Sequence, residues 1–252
     1  RLGQAGYDAN ARYFRGKRCL YGFTFYGGND YPEHADEKPV TFDEMASMEK
    51  GAQKLGVLRM DVDNLGAIFI SGLENKRRTF SRYSVLSRNL DYFFKGYLNR
   101  LWEKDFSTST SIIYSGGDDL FIVGHWAAVF GFAEQIQYHF ARWVCHNPKL
   151  TISGGVALTG GKFPISKGAD FANDAEGCAK AHKRPNETDK NAIAIFGVPL
   201  GWEKEYPTVQ SLKKELVKLI QEEKLPRGVL QKVLNYAEKA RLQEESGGST
   251  SW

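Results

Sequence analysis

Tyr114-Ser115-Gly116-Gly117-Asp118-Asp119-Leu120-Phe121-Ile122-Val123-Gly124 sets two adjacent carboxylates on a glycine turn between two apolar runs. The run before the turn, Ser111-Ile112-Ile113-Tyr114, and the run after it, Leu120-Phe121-Ile122-Val123, are rich in β-branched and aromatic residues. Gly-Gly between such runs predicts a tight hairpin with the carboxylates at its tip. An ordinary turn carries one Asp or Asn for local hydrogen bonding. Two abutting carboxylates repel each other and call for a counter-charge, and a divalent cation is the first candidate.

Upstream, Leu55-Gly56-Val57-Leu58-Arg59-Met60-Asp61-Val62-Asp63-Asn64-Leu65-Gly66 reads as a strand ending in Asp-Val-Asp, then a glycine turn. Period-2 alternation puts Asp61 and Asp63 on one face. Strands disfavour Asp, so the pair needs a reason. Metal ligation is one; an N-cap by Asp63 or Asn64 for the next helix is the other. The expectation is that Asp61 is the ligand and Asp63 the more structural of the two.

Between Phe80 and Lys104 the apolar positions Tyr83, Leu86, Leu90, Phe93, Tyr97 and Leu101 recur at helical spacing and predict one amphipathic helix. A second follows the hairpin over Trp126–His146, then a glycine-bearing strand over Leu150–Leu158. Residues 166–184 suit a helix with a small face, Ala169, Ala172, Ala175 and Ala179, and a strand at Ala192–Phe196 closes the domain. Lys180, Lys183 and Arg184 sit at the end of that last helix, where either the helix dipole or a phosphate accounts for them. An earlier cluster, Lys76-Arg77-Arg78 with Arg82 and Arg88, reads as a solvated face. His125, His139 and His146 lack ligand-spaced neighbours and read as packing or surface residues.

The order strand, helix, hairpin, helix, strand, helix, strand predicts an α+β fold. It is a ferredoxin-like palm, a mainly antiparallel sheet with helices on one face. In that plan the first strand lies beside the hairpin, so Asp61 and the Asp118/Asp119 pair converge. Three carboxylates with the Val62 carbonyl make a hard oxygen site suited to Mg²⁺ or Mn²⁺. Such a site does phosphoryl transfer. Gly116 and Gly117, without side chains, let a nucleotide lie against the turn.

With 252 residues and 42% hydrophobic content, the chain can bury one sizeable core and carry a smaller appendage. No apolar run approaches the ~20 residues of a membrane helix, and nothing resembles a signal peptide. Cys19, Cys145 and Cys178 form no paired spacing, which argues for free thiols and a cytoplasmic setting. The net charge of +4 is compatible with nucleotide or nucleic-acid contact without demanding it. Residues 1–50, with a strand-like Tyr21–Tyr26, read as the tail of a preceding domain and a linker. Within them Gly27-Gly28-Asn29-Asp30 imitates the hairpin motif but precedes no apolar strand, so it reads as an ordinary turn. Residues 51–200 form the palm and 201–245 a small C-terminal helical domain, in two helices at about 208–223 and 227–244. Residues 246–252 read as a disordered tail. The start at Arg1 suggests a piece of a longer protein.

Leu58–Gly66, Tyr114–Phe121, Lys162-Phe163-Pro164-Ile165 and Lys190-Asn191-Ala192-Ile193 together resemble the second palm domain of the large subunit of type III-A (Csm) CRISPR effector complexes. GGDEF-type diguanylate cyclases are wider relatives. The resemblance covers about residues 50–200, and 205–245 are similar to that subunit's C-terminal helical domain. It implies synthesis of cyclic oligoadenylates from ATP when the complex binds target RNA. Asp61, Val62, Asp118 and Asp119 would hold the metals. Asn64, Leu65, Gly66, Ser115, Gly116 and Gly117 would line the nucleotide site, and Lys180 or Lys183 would contact phosphate. The implied partners are the other subunits of the complex, crRNA and target RNA indirectly, and the first palm of the same subunit, with no membrane. Neither that first palm nor a His-Asp nuclease motif is among these residues; His34-Ala35-Asp36 is not an adjacent pair. The expectation is weak nucleotide binding and little product from this stretch alone. A diguanylate cyclase using GTP and a catalytically idle palm acting as a scaffold are the competing readings.

Overall fold

The computed structural model describes residues 29–48, 51–72, 78–183, 189–226 and 228–246. The expected strand at Tyr21–Tyr26, Gly27-Gly28, Lys76-Arg77 and residues 247–252 lie outside them. The chain divides into two compact units, Arg1–Trp202 and Glu203–Trp252.

The first unit is built on one sheet. Its strands are β1 (Leu55–Val62), β2 (Thr110–Gly116), β3 (Asp119–His125), β4 (Ile152–Thr159), β5 (Ala192–Ile195) and β6 (Val198–Gly201), in the spatial order β2-β3-β1-β4-β5-β6. All neighbours are antiparallel except β4 and β5. The four strands β2-β3-β1-β4 are the ferredoxin-like unit expected from the element order. β4 and β5 are parallel because α6 (Ile165–Ala181) carries the chain back between them. The short hairpin to β6 was not foreseen.

Alternation along β1 decides what covers each face. Gly56 turns toward α5 (Trp126–Trp143), where an added Cβ would meet Val129. Leu58, Met60 and Val62 share that side and are buried. Beyond them lies an aromatic core in which Phe93 meets Phe94 and Phe140 edge-on, each at 5.2 Å, and Phe106 stacks on Phe132 at 4.4 Å. Leu55, Val57 and Arg59 face the other way, toward α6 and α1 (Phe42–Ser47). The helices of the ferredoxin-like unit lie on one face; α6, which follows that unit, covers the other.

Three expectations are corrected in detail. The helix over Phe80–Lys104 is α3 (Phe80–Tyr92) and α4 (Leu98–Asp105) joined by a π turn at Phe93–Tyr97. Residues 29–48 are not a linker: Asp30 pairs with Ile112 on the outer edge of β2, and α1 buries Met45 and Ala46 against Leu55 and Val57. Thr41 and Glu44 form a capping box that starts α1. Asn64 stands at the N-cap of α2 (Leu65–Ser71), but its side chain makes no capping bond and Asp63 makes none in its place.

The second unit contains α7 (Glu205–Gln221) and α8 (Gly228–Ser246). α7 starts before Pro207, which its first turn accommodates because the first amide groups of a helix have no intrahelical acceptor. Helical structure continues to Ser246, two residues past the expected end of the second helix, so Ser246 is not part of the tail expected over 246–252. No helix of the described residues is long and apolar enough to cross a membrane.

Candidate active site at the end of the central strand

The hairpin between β2 and β3 has a two-residue loop, Gly117-Asp118, closed by the Gly116/Asp119 pair. Gly117 sits at φ +68°, a conformation glycine takes without strain, and nothing lies within 4 Å of where its Cβ would be. The tip is therefore tight and open. Ser111 to Ser115 do not alternate evenly, because a bulge between Ile112 and Tyr114 shifts the β2 register. After it Tyr114 lies opposite Phe121 and its hydroxyl donates to the Gly116 carbonyl at 3.2 Å. Ser115 is buried and donates to the Phe94 carbonyl, inside the π turn, at 2.6 Å. Its hydroxyl thus ties the hairpin to the helix beneath it.

The register brings the separated acids together. Asp61, next to last on β1, lies directly opposite Asp119 on β3, and the Val62 amide donates to the Asp118 carbonyl at 3.0 Å. Burial first, then the charges of Asp61 and Asp119, push the Asp118 carboxyl above the usual aspartate range. Burial and a hydrogen bond to Asp119 likewise raise the Tyr114 phenol. The counter-charge comes from α6: Lys180 bonds Asp61, and its Nζ lies 2.9 Å from Glu176 Oε1. Burial works against the ammonium, but the bonds to Asp61 and Glu176 outweigh it and hold its pKa above the ordinary lysine value. Of the two lysines singled out in the sequence, Lys180 is the one bonded to Asp61; Lys183 is exposed beyond the end of α6.

Asp63 has a different environment. It is fully buried, and its Oδ2 accepts from Thr151 Oγ1 at 2.7 Å, Ser153 Oγ at 2.9 Å and the Asn191 amide at 3.1 Å. Burial pushes its carboxyl up against the pull of those three bonds. It fastens the end of β1 to β4 and to the start of β5, as its expected structural part requires. Asn64 and Gly66 are exposed and Leu65 half-buried where α2 begins, and Asn64 Oδ1 accepts from Lys190 Nζ at 2.6 Å.

Among the described residues no three His, Cys, Asp or Glu side chains stand arranged to hold a metal ion, and Asp61 is turned to Lys180 instead. The oxygens expected to bind, the Asp61, Asp118 and Asp119 carboxylates and the Val62 carbonyl, are of the class that suits Mg²⁺ or Mn²⁺. Burial and then the neighbouring charges of Asp61 and Asp119 raise Asp118, and those crowded negative charges are what such a cation would neutralise. Residue-by-residue reading missed Glu176, Arg59 and Tyr114. Glu176 had a signal, its i,i+4 spacing to Lys180; the other two depend on long-range packing.

The model of the Cas10/Cmr2 second palm domain matches residues 54–194. The chain belongs to that family. The type III-A CRISPR single-strand-specific deoxyribonuclease Cas10/Csm1 of Methanocaldococcus jannaschii is 36% identical over 178 residues, which is 64% of this chain and 22% of the relative. That of Enterococcus italicus is 40% identical over 149 residues, 59% of this chain and 19% of the relative. This Cas10-family palm thus spans about a fifth of the length of those relatives. Among solved structures, a Csm1–Csm4 cassette in complex with cA3 superposes with a TM-score of 0.70 at 26% identity, covering 84% of this chain and 33% of that one. A Csm1–Csm4 cassette in complex with AMPPNP gives 0.58 at 30% identity, covering 67% and 24%.

Proposed function

We propose that this chain carries the nucleotidyltransferase palm that makes cyclic oligoadenylate from ATP in a type III CRISPR effector complex. One observation carries the proposal. The β1/β3 register sets Asp61 against the Asp118-Asp119 turn, with Lys180 reaching in from α6. The adenine nucleotides bound in the related Csm1–Csm4 cassettes support ATP over GTP. The same complexes support Csm4 as a partner. Other effector subunits, crRNA and target RNA are proposed through the assembly, as is the first palm of the same subunit.

Asp61, the Val62 carbonyl, Asp118 and Asp119 would hold Mg²⁺ or Mn²⁺. Such an ion, held there, would supply a lowered pKa for a ribose hydroxyl and positive charge against the pyrophosphate. The protein does the rest by placement. Gly117 keeps the tip bare, so that a triphosphate can approach the backbone, while the buried Gly116 leaves room for the Lys95 and Tyr114 side chains against the hairpin. Lys180 offers an ammonium held in its charged form, suited to phosphate as a point charge. Asp63 fixes the end of β1 through its three hydrogen bonds, which keeps Asp61 and Val62 in register with the hairpin. We assign the palm to residues 51–200. Residues 201–245 serve as a docking appendage, a reading supported by apolar side chains left open on α7 and α8, among them Leu212 at 60% and Tyr236 at 68% exposure.

The test is conversion of ATP to cyclic product by the full-length subunit in its RNA-activated complex, against the same complex with Asp118→Ala/Asp119→Ala. Product is expected only from the unsubstituted complex. Equal yields overturn the proposed site. Preference for GTP would make the palm a diguanylate cyclase, and absence of any product would leave it a scaffold.

A further inference from the structure

One buried charge beside the site is used neither by the metal-and-nucleotide reading nor by the apolar core. Glu176 is only 8% exposed, on α6 one turn before Lys180. Its Oε1 lies 2.9 Å from Lys180 Nζ. Its Oε2 has no hydrogen-bond partner and faces Arg59 Nε at 3.7 Å. Arg59 is itself held, its guanidinium donating to Asn173 Oδ1 at 3.2 Å. From the middle of β1 to its end the charges therefore alternate: Arg59, Glu176, Lys180, Asp61. The close approach of α6 that makes this possible depends on Gly155 in β4, where a Cβ would clash with the Glu176 amide nitrogen. Burying a carboxylate between two cations is weak evidence of a stability device, since an apolar cluster in its place is often as stable or more so. The arrangement asks for a different reason.

We infer that Glu176 is a positioning residue for Lys180, holding the ammonium beside the hairpin when Asp61 turns from Lys180 to a divalent cation. The inference rests on the reading of the site given above. An ammonium and a divalent cation repel each other at a shared carboxylate, so Lys180 has to yield Asp61 when a metal ion arrives. The Glu176 bond survives that exchange without any movement of the helix, because both residues sit on α6 at i,i+4. With Glu176 in place, Lys180 has a second carboxylate to rest on and remains within reach of a triphosphate. Without it, Asp61 takes the whole ion pair, and Lys180 becomes a stronger competitor of the metal.

Mn²⁺ binding to this chain without nucleotide, followed by the paramagnetic resonance of the free ion, tests this in a double-mutant cycle. Glu176→Gln is expected to weaken Mn²⁺ binding roughly 3- to 30-fold, within the usual coupling range for contacting charged groups. Lys180→Met is expected to tighten it, because the competing cation is gone. In the Lys180→Met background, Glu176→Gln is expected to change binding by less than about twofold. An equal loss in both backgrounds overturns the inference, since Glu176 would then act through its charge and not through Lys180. Glu176→Asp keeps the charge with a shorter reach and is expected to fall between the two; it carries the same cycle if Glu176→Gln does not fold. If the unsubstituted chain binds no Mn²⁺, the reading of the site falls and the inference with it, an outcome distinct from binding that Glu176→Gln leaves untouched.

Discussion

The two faces of the central sheet are built from the same strands and do different work. On the α5 side, β1 presents Leu58, Met60 and Val62, all buried, to a core of phenylalanines. On the α6 side, the same strand runs from Leu55 and Val57 to Arg59 and Asp61, so its apolar half packs on α1 and α6 and its charged half enters the site. The α6 contact is made of small residues, with Ala175, Ala179, Ala192 and Ala194 buried together. A bulky interface would hold the helix away from the sheet. The lesson is that one face supplies stability with large side chains, while the other gives up bulk so that Lys180 and Glu176 can reach the strand end.

Substitutions on the two faces should therefore separate chemistry from stability. The largest expected effect is on chemistry. Asp118→Ala/Asp119→Ala should reduce cyclic product to background while the thermal unfolding temperature holds or rises, because a repulsion is removed along with the site. Product assay and melting on one preparation check both halves. Next, Phe140→Ala on the opposite face should cost about 3–5 kcal/mol in chemical denaturation and leave the Mn²⁺ affinity of the folded fraction unchanged. Gly155→Ala is the substitution that should blur the distinction. Its Cβ meets the backbone of α6, so a loss of about 1–3 kcal/mol is expected together with weaker ATP binding, measured by calorimetry. A change in only one of the two quantities would show that α6 packing and the site are uncoupled.

The smallest effect should be a pH dependence that belongs to the aromatic face. His139 stands against Tyr97, whose hydroxyl is 2.8 Å from its Nδ1, and burial, then Arg142 and Lys104, hold its pKa below the usual 6.5. The folded state favours the neutral ring. That contribution is complete above pH 6.5 and is lost as pH falls through the lowered folded value. Melting temperature should thus decline slightly on acidification in this range, less so in His139→Gln. Equal slopes would show that His139 does not set the pH dependence.

What could be read from the sequence was local or periodic. Gly116-Gly117 between β-branched runs specifies a hairpin by itself, and alternation puts Asp61 and Asp63 on the same side before any contact is known. That Asp63 is the more structural of the two is expected from the strand end, but what holds it could not be read, because its partners Thr151, Ser153 and Asn191 lie 88 to 128 residues away. The π turn at Phe93–Tyr97 has no signature in the spacing of Tyr83, Leu86, Leu90, Phe93, Tyr97 and Leu101, which suits an unbroken helix equally well. Ser115 looked like a residue of the nucleotide site because of its neighbours. The bulge beside Ile113 and the Phe94 carbonyl, both products of packing, account for its burial instead. The edge contact of Asp30 with Ile112 was hidden for the same reason: Asn29-Asp30 reads as a turn until the strand it covers is in view.

Asp61 and the Asp118-Asp119 turn are proposed to form one metal site. A crystal of this chain soaked with Mn²⁺ and a non-hydrolysable ATP analogue tests it most directly. Anomalous density is expected between Asp61, the Val62 carbonyl and the hairpin tip, with Lys180 released from Asp61 and still bonded to Glu176. Mn²⁺ bound elsewhere, or a triphosphate held with Asp61 still paired to Lys180, would contradict it.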